Sequence, residues 1–506
     1  MNVATFSPAD LEQIHSLGKN PESLRGQLER FHKGFPPLIL DRPCRVDDGI
    51  LQLSSQKLLH YRQVFAPAVA AGRAMKFVPA SGAGTRMFQG FLRGRHGENE
   101  AELEVEMARL PAYPFYEALQ EAISEADLSL QQILLKKDYR TILEFLLSEQ
   151  GLDYAACPKA FIPFHRYSDR ICTPLEEHLA EAVALVKDAA GICRIHFTVS
   201  EQHLEKFCEL LEAVRTRYEV GGLKFEVGFS TQSHATDTLA ADPEGRPFRD
   251  RSGRLVFRPA GHGALLENLQ LIKGDVVFIK NIDNVAPELR RQEHDAYRRA
   301  LGALLVEVQK NGFEHLRKLE NESCSEAQVE AAAEFAATAF FKKLPADWSH
   351  RRLSQKKSWL QAELHRPLRV CGVVPNRGEP GGAPCWVRGQ GGELSLQIVE
   401  AAQVDLQNAA QQKIFRDSTH FNPVDLVCGL RDHRGRPFDL SRFRDPETGF
   451  ITQKSHEGRP LLAMELPGLW NGAMAFWNTI FVEIPEALFT PVKRMEDLLR
   501  PEHAAS

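Results

Sequence analysis

The alternation of short apolar runs with helical segments is the feature that most limits how this chain can fold. The strand-like runs are residues 73–79, 192–199, 223–229 and 275–282. Helical spacing of apolar residues follows over 201–218 and 287–311. Strands that alternate with helices indicate βαβ units, whose strands pair in parallel. The sequence therefore predicts an α/β fold with a doubly wound, mostly parallel sheet.

The chain divides into three predicted parts. Residues 1–72 are predicted to be an N-terminal helical segment, with a helix over 7–32 that begins at a loose capping signal. Residues 73–345 are predicted to form the α/β domain, interrupted by a helical insertion over 88–156. Residues 346–506 are rich in turns and short strand-like runs, of which 394–399 and 479–484 are the clearest. This last part is predicted to be a smaller α+β region that completes the site.

Composition and simple sequence signals argue against several classes of protein. The 506 residues include 62 Lys and Arg against 67 Asp and Glu, so the net charge is −5, whereas a nucleic-acid-binding domain is usually basic. The nine cysteines form no Cys-x-x-Cys pair, which argues against a zinc ribbon and a disulfide framework. No apolar run approaches the ~18–20 residues of a membrane span. The first residues do not resemble a signal peptide. We expect a cytoplasmic protein with no nucleic-acid or membrane partner.

A glycine-rich loop follows the first predicted strand of the α/β domain. Its residues are Ser81, Gly82, Ala83, Gly84, Thr85 and Arg86. Successive backbone N–H groups in such a turn can form an anion site, and an arginine adds bidentate reach to phosphate. The loop lacks the Gly-Lys-Ser/Thr of a P-loop and the glycine spacing of a dinucleotide-binding loop. It is therefore either an unusual phosphate loop or a plain strand-to-helix turn.

A carboxylate ends the most strand-like run of the chain. Asp283 and Asn284 directly follow the run predicted over 275–282, at the edge where open α/β sheets bind ligands. A hard oxygen ligand at this place suits Mg²⁺ that also binds nucleotide phosphates. The alternative is an aspartate that caps the helix beginning near residue 286.

These two motifs, with others in the same order, resemble the sugar nucleotidyltransferases. The loop is similar to the signature loop of that family, and Pro158-Lys159 is similar to its second signature, although here the two are much further apart. Gly261-His262-Gly263, Gln232 and Asp283 resemble the base-handling and metal-binding residues of the branch that uses UTP and a hexose 1-phosphate.

The resemblance continues to the C-terminal end. Glu400 and Asn478 lie in stretches similar to the strands whose side chains hold the sugar, and Phe489-Thr-Pro-Val-Lys493 is similar to a stretch whose lysine binds phosphate. The chain as a whole also resembles an uncharacterised bacterial family, which shares the stretch that begins at Asn471. We group Asn471 with the sugar-binding candidates.

The resemblance implies a transferase that makes an NDP-sugar and pyrophosphate from an NTP, here UTP, and a sugar 1-phosphate. It implies Arg86, Lys159 and Lys493 as catalytic residues and Asp283 as the ligand of Mg²⁺. The nucleotide would be bound by Ser81, Gly82, Ala83, Gly84, Thr85, Gln232, Gly261, His262 and Gly263. The sugar would be bound by Glu400, Asn471 and Asn478. The alternatives are a non-catalytic sugar-nucleotide-binding protein and a transferase for a non-sugar phosphate acceptor. The sugar and the oligomeric state stay open.

Overall fold

The fold is described from a computed structural model, which covers residues 6–82, 84–95, 100–378 and 381–504. The helices are α1 (Pro8–Ser16), α2 (Pro21–Lys33), α3 (Ser55–Ala70), α4 (Gln89–Arg95), α5 (Glu100–Arg109), α6 (Tyr116–Glu125), α7 (Leu130–Leu135), α8 (Tyr139–Leu147), α9 (Pro174–Val186), α10 (Leu204–Tyr218), α11 (Leu265–Leu271), α12 (Glu288–Glu320), α13 (Glu326–Phe340), α14 (Leu353–Leu364) and α15 (Ala409–Arg416). None of the helices in these ranges is both long enough and apolar enough to cross a membrane.

The strands are mostly short. They are β1 (Ile39–Pro43), β2 (Arg45–Val46), β3 (Gly49–Leu51), β4 (Ala74–Pro79), β5 (His165–Arg166), β6 (Ile171–Cys172), β7 (Ile192–Val199), β8 (Lys224–Thr231), β9 (Thr238–Leu239), β10 (Phe257–Arg258), β11 (Val276–Lys280), β12 (Leu368–Pro375), β13 (Ala383–Arg388), β14 (Leu394–Val399), β15 (His420–Phe421), β16 (Asp425–Gly429), β17 (Phe450–His456), β18 (Arg459–Glu465) and β19 (Asn478–Glu483).

The chain forms two compact units, each built from three separate segments. The first unit consists of Met1–Val64, Thr231–Phe278 and Leu301–Ile484, and the second of Phe65–Ser230, Ile279–Ala300 and Pro485–Ser506. The parts predicted from the sequence, 1–72, 73–345 and 346–506, are each a single stretch of chain, whereas each unit of the structure combines three stretches.

The strands of the central sheet are joined mostly in parallel, which confirms the predicted α/β class. In the first unit β2, β3, β19 and β12 are joined in parallel, and β16 adds an antiparallel neighbour to β12. In the second unit β4 pairs in parallel with β7, with Val78 opposite Phe197. β8 lies on the other side of β7.

The helical insertion of the second unit packs around an aromatic core. The rings of Phe88, Phe115 and Tyr154 lie 5.9–6.2 Å apart between their centroids. The same buried cluster includes Val285, after β11, and Val492, near the C-terminal end. The insertion therefore holds two distant segments that carry predicted site residues.

The N-terminal helix predicted over 7–32 is two helices. Ser7 and Asp10 form the predicted capping box at the start of α1. Gly18, with φ +65°, follows the end of α1, and Asn20 caps α2, which begins with Pro21. A glycine in the left-handed region ends a helix and a proline favours its first turn, so this break was readable from the sequence.

Candidate functional site

The glycine-rich loop after β4 is docked on the segment that carries Pro158-Lys159. The backbone N–H of Gly84 donates to the carbonyl of Cys157 at 2.8 Å, and the N–H of Lys159 donates to the carbonyl of Gly82 at 3.2 Å. The two motifs that the long insertion separates are therefore neighbours in space, as the resemblance requires.

Gly84 and Thr85 of this loop already have partners within the protein. A Cβ on Gly84 would lie 2.7 Å from the carbonyl oxygen of Tyr154, so this glycine is required by packing within the protein. Its N–H and the hydroxyl of Thr85, which donates to the carbonyl of Ala155 at 2.8 Å, are already used. They are not free donors for a phosphate. Ser81, Gly82 and Arg86 are exposed, and Ala83 lies outside the described residues.

Lys159, Asp283 and Lys493 form one cluster in the second unit, which we call the lysine–aspartate cluster. Nζ of Lys159 donates to Oδ2 of Asp283 at 2.8 Å, and Nζ of Lys493 donates to the same oxygen at 2.9 Å and to Oδ1 at 3.2 Å. The side chains of Lys159 and Asp283 are 10% and 9% exposed, whereas that of Lys493 is 55% exposed. Three predicted residues from distant motifs thus meet.

Burial and charge set the protonation of the cluster. Burial lowers the pKa of Lys159, which the positive charges of Lys493 and Arg86 lower further, while Asp283 opposes the shift. Burial by itself would raise the pKa of Asp283, but the two lysines outweigh it and lower that pKa. The carboxylate is therefore ionised, and with Arg86 close enough to act on Lys159 the group carries excess positive charge.

Backbone pairing holds the cluster in place. The N–H of Val492 donates to the carbonyl of Asp283 at 3.0 Å, and the carbonyl of Val492 accepts from Nζ of Lys159 at 2.7 Å. Asn284 accepts from the N–H of Thr490 at 3.2 Å and forms an antiparallel bridge with Pro491. The role of Val492 could not be predicted from the sequence, because a backbone carbonyl leaves no signal in the residue type.

A buried charge network supports the end of β11, three residues before Asp283. Glu181 accepts from Lys76 at 2.8 Å, from Lys280 at 2.7 Å and from Arg298 at 2.8 Å. His178, on the same helix as Glu181, lies 3.3 Å through Nε2 from the carbonyl oxygen of Asn281. The network fixes the strand end and the turn from which Asp283 projects.

Asp283 has the chemistry of a Mg²⁺ ligand, but its oxygens already have partners. One carboxylate is the protein contribution that Mg²⁺ commonly takes when phosphates and waters complete its shell. Both oxygens of Asp283 are paired with ammonium groups, so ligation requires exchange of at least the contact with Lys493. The exposed half of the Lys493 side chain leaves it room to turn toward a phosphate.

A second group of predicted residues lies in the first unit, around His262. Nδ1 of His262 accepts from the N–H of Leu469 at 3.0 Å, so the ring proton is on Nε2, which lies 3.8 Å from Oε1 of Glu400. The ring stacks on Trp470 with 4.1 Å between centroids and 17° between planes. Burial lowers the pKa of His262, against the opposing charge of Glu400.

Three glycines allow this packing, because a Cβ on each of them would collide with another group of the protein. A Cβ on Gly261 would lie 2.5 Å from Oε2 of Glu465, and one on Gly263 would lie 2.3 Å from the carbonyl of Pro467. A Cβ on Gly468 would lie 2.5 Å from Cε1 of His262. The space beside Gly261 and Gly263, which were predicted to bind the nucleotide, is thus filled by Glu465 and Pro467.

The structure places the remaining candidates as follows. Asn471 is buried, and a Cβ on Gly468 would lie 3.4 Å from its Nδ2, so it belongs to the His262 group. Gln232 donates weakly to Thr236 of its own turn at 3.4 Å. Asn478 begins β19 and donates to the carbonyl of Glu363 at 3.0 Å. Ligands of open α/β sheets bind at the carboxyl ends of the strands, so this position at the amino end does not support the predicted sugar contact.

Trp470 is a member of the His262 group that was not predicted from the sequence. Its position, one residue before Asn471 and two after Gly468, was visible, but nothing in the spacing linked it to His262. The stacking arises only because the segment before Trp470 runs beside the residues that precede His262, where the N–H of Leu466 donates to the carbonyl of Ala260 at 2.9 Å.

Solved structures show likenesses at low sequence identity. A UDP-N-acetylglucosamine pyrophosphorylase from Trypanosoma brucei with an inhibitor is 14% identical, with 98% of this chain and 79% of that chain covered and a TM-score of 0.48. A mutant UDP-glucose pyrophosphorylase from Leishmania major with UDP-glucose is 12% identical, with 98% and 79% covered and a TM-score of 0.46. A UDP-glucose phosphorylase from Trypanosoma brucei is 13% identical, with 97% and 77% covered and a TM-score of 0.44. These TM-scores are too low to bear on activity or substrate.

Comparison of the sequence itself identifies one family. No curated protein matches the chain. A family model described as a domain of unknown function, DUF4301, matches residues 7–504. Because that match spans nearly the whole sequence, the chain belongs to the DUF4301 family.

Proposed function

We propose that the protein is a nucleotidyltransferase that joins a nucleoside triphosphate to a sugar 1-phosphate and releases pyrophosphate. The observation that supports this most strongly is the lysine–aspartate cluster, because its three members come from separate motifs of the resemblance and lie within hydrogen-bond distance. Both substrates carry phosphates, and a cluster with excess positive charge suits them.

Each cation has a role that follows from its exposure. Lys159 is held by Asp283 and by the carbonyl of Val492, so it is a preorganised charge that costs little to orient during reaction. Lys493 and Arg86 are more exposed and are suited to contact incoming phosphates. An oxygen of the sugar phosphate attacks the α-phosphorus in line, and the bond from that phosphorus to the leaving pyrophosphate breaks. The protein positions these groups and neutralises charge.

Mg²⁺ enters this proposal through Asp283 alone. When bound, the ion would neutralise phosphate charge beside the carboxylate. Lys493 would exchange its contact with Asp283 for one with a phosphate, and Lys159 would keep its contact with Val492.

The base and the sugar are the finer parts of the proposal. The resemblance assigns the base to Gln232 and His262, and a carboxamide can both donate to and accept from a uracil edge, which favours UTP. It assigns the sugar to Glu400 and Asn471, which lie with His262 in one group. Asn478 is left out for the reason given above.

The test is a screen of pyrophosphate release. Four nucleoside triphosphates are combined with a panel of sugar 1-phosphates in Mg²⁺, and release above background with one pair supports the proposal. Binding of a sugar nucleotide without release with any pair would favour the non-catalytic alternative. Release only with a polyol phosphate would favour the non-sugar acceptor.

Matched variants connect the activity to the cluster. Lys493→Ala removes a half-exposed member and leaves the buried pair, so the protein should fold and lose most of its activity. Lys224→Ala removes a 68% exposed lysine of a surface ion pair in the same unit and should change nothing. Equal activity of the two variants would contradict the assignment.

A further inference from the structure

A third group of side chains, in the first unit and outside the residues discussed so far, has the composition of a metal site. His365, Asp432 and His433 each offer one ligand atom, and these atoms lie within 4.8 Å of one another. Nε2 of His365 is 3.6 Å from Oδ2 of Asp432. Two ligand atoms of a tetrahedral zinc site are roughly 3.4 Å apart when each bond is about 2.1 Å. This pair is therefore already near the separation that one ion requires.

His433 is arranged as a metal-binding histidine is. Its Nε2 lies 2.9 Å from Oε1 of Glu320, and because a carboxylate accepts, Nε2 carries the proton. Nδ1 therefore has its lone pair, and this buried atom has no hydrogen-bond partner within the described ranges. The side chain is 4% exposed. Histidines that bind a metal commonly donate their other N–H to a carboxylate in this way.

The turn that holds Asp432 and His433 does not itself need a histidine. Three turns of the first unit, 242–246, 250–254 and 432–436, share the pattern Asp-x-x-Gly-Arg. In each, Oδ1 of the aspartate accepts from the N–H of the arginine at 2.8–2.9 Å, and the glycine has a φ of +77° to +82°. The second residue is Pro243, Arg251 and His433 in turn. Since the turn forms without it, a buried histidine at this position needs another explanation.

The rest of the surroundings leave a path for an ion. Oδ2 of Asp432 is also 2.8 Å from Nη2 of Arg436, whose side chain is 61% exposed and can turn to solvent. Oδ1 stays fixed by the backbone of the turn, which keeps the carboxylate oriented. The side chain of His365 is 41% exposed, so the cluster is reached from the surface.

We propose that His365, Asp432 and His433 bind a divalent first-row transition-metal ion, with Zn²⁺ as the best match, and that Glu320 holds His433 from behind. Two imidazoles with one carboxylate suit such an ion better than Mg²⁺, which prefers oxygen ligands. The ion joins the end of α14 to the 432–436 turn and, through Glu320, to the end of α12. It is a stabilising link of the first unit and does not depend on the proposed transferase activity.

The experiment is a Zn²⁺ titration of the metal-free full chain against a chromophoric chelator. All proteins carry Cys208→Ser, because that exposed thiol could bind Zn²⁺ by itself. We expect one equivalent to bind, in the presence of excess Mg²⁺, and to raise the melting temperature. Glu320→Gln should weaken binding about 10–100-fold. His365→Gln should weaken it at least as much, and His350→Gln, an exposed histidine of the same unit, should have no effect.

The proposal can be refuted even if a variant of a buried residue fails to fold. His433→Gln removes a buried side chain, whereas His365→Gln changes a partly exposed one and is expected to fold. Failure of the parent protein to bind one equivalent of Zn²⁺, displacement of the ion by Mg²⁺, or unchanged affinity in folded His365→Gln would each overturn the proposal.

Discussion

Asp295 is a carboxyl group that the fold buries at a cost, and replacing it should stabilise the protein at alkaline pH. It lies on α12, is 6% exposed, and its pKa is raised to about 6. Burial is the largest cause and the charge of Glu181 adds to it, while Arg298, Arg299 and Arg291 oppose it. Arg298, which donates to Glu181, is 3.9 Å from Asp295, too far for a hydrogen bond.

The sign and the size of the expected change in unfolding free energy follow from proton linkage. The ordinary pKa of the group is 3.8, so the folded protein binds the proton more tightly than the unfolded chain does. The stability that this binding contributes is present at low pH and is lost as the pH rises through about 6. A shift of this size corresponds to at most about 3 kcal/mol of unfolding free energy, at 1.36 kcal/mol per pKa unit. Asn resembles the protonated acid, so Asp295→Asn removes the pH-dependent cost.

The assay is denaturant unfolding at about pH 5 and about pH 8, compared between the parent and the variant so that all other titrating groups cancel. Asp295→Asn should gain up to about 3 kcal/mol relative to the parent at the higher pH and about half of that at the lower, because about pH 5 lies between the unfolded and folded pKa values. Glu293→Gln, an exposed acid on the same helix, is the control and should show no such difference. Equal destabilisation by Asp295→Asn at both pH values would refute the reasoning and would indicate a charged, stabilising partner of Arg298.

Four further predictions concern the proposed transferase site. Lys159→Ala should lower turnover by ~10²–10³ with the fold intact by circular dichroism, and near-normal pyrophosphate release would contradict it. Asp283→Asn should abolish Mg²⁺-dependent release while calorimetry shows tighter binding of pyrophosphate without Mg²⁺, because the competing carboxylate is neutralised; full Mg²⁺-dependent activity would speak against the ligand role. Gly84→Ala places a Cβ 2.7 Å from a backbone carbonyl and should cost about 1–3 kcal/mol, whereas Gly82→Ala meets no described residue within 4 Å; equal melting temperatures would refute the packing argument. UTP should bind more tightly than ATP or GTP by calorimetry, and a purine nucleotide that binds as well would exclude the uridylyl assignment.

Local structure was largely readable from the sequence. The run predicted over 394–399 is β14, and the run predicted over 275–282 contains β11. Ser7 and Asp10 form their predicted capping box. These features depend on residue periodicity and on hydrogen bonds between residues three apart, which a linear pattern contains. The helix predicted over 287–311 continues to Glu320. Asn311-Gly312 is a possible stop signal in the sequence, but Gly312 stays helical and lies close to Phe335, where a Cβ would be 3.4 Å from Cε1.

The tertiary structure alone decided which predicted residues meet. Lys159 and Asp283 are 124 residues apart, and Lys493 is 210 residues beyond Asp283, yet all three lie within hydrogen-bond distance. Their meeting depends on the aromatic core of the helical insertion, which packs against the segments before and after them, and on the carbonyl of Val492. No local pattern encodes such long-range packing.

The glycines and Asn478 show the same difference between what the sequence predicts and what the tertiary structure decides. The sequence resemblance implies that Gly84, Gly261 and Gly263 bind the nucleotide, and a Cβ at each of them would lie within 3 Å of another group. Whether that group is a ligand or the protein itself depends on what the fold brings near, and here the protein occupies the space. Asn478 was assigned to a strand facing the sugar. The direction of β19 places it instead at the amino end, because the parallel register with β12, where Asn478 lies opposite Leu368, fixes which end of the sheet it occupies.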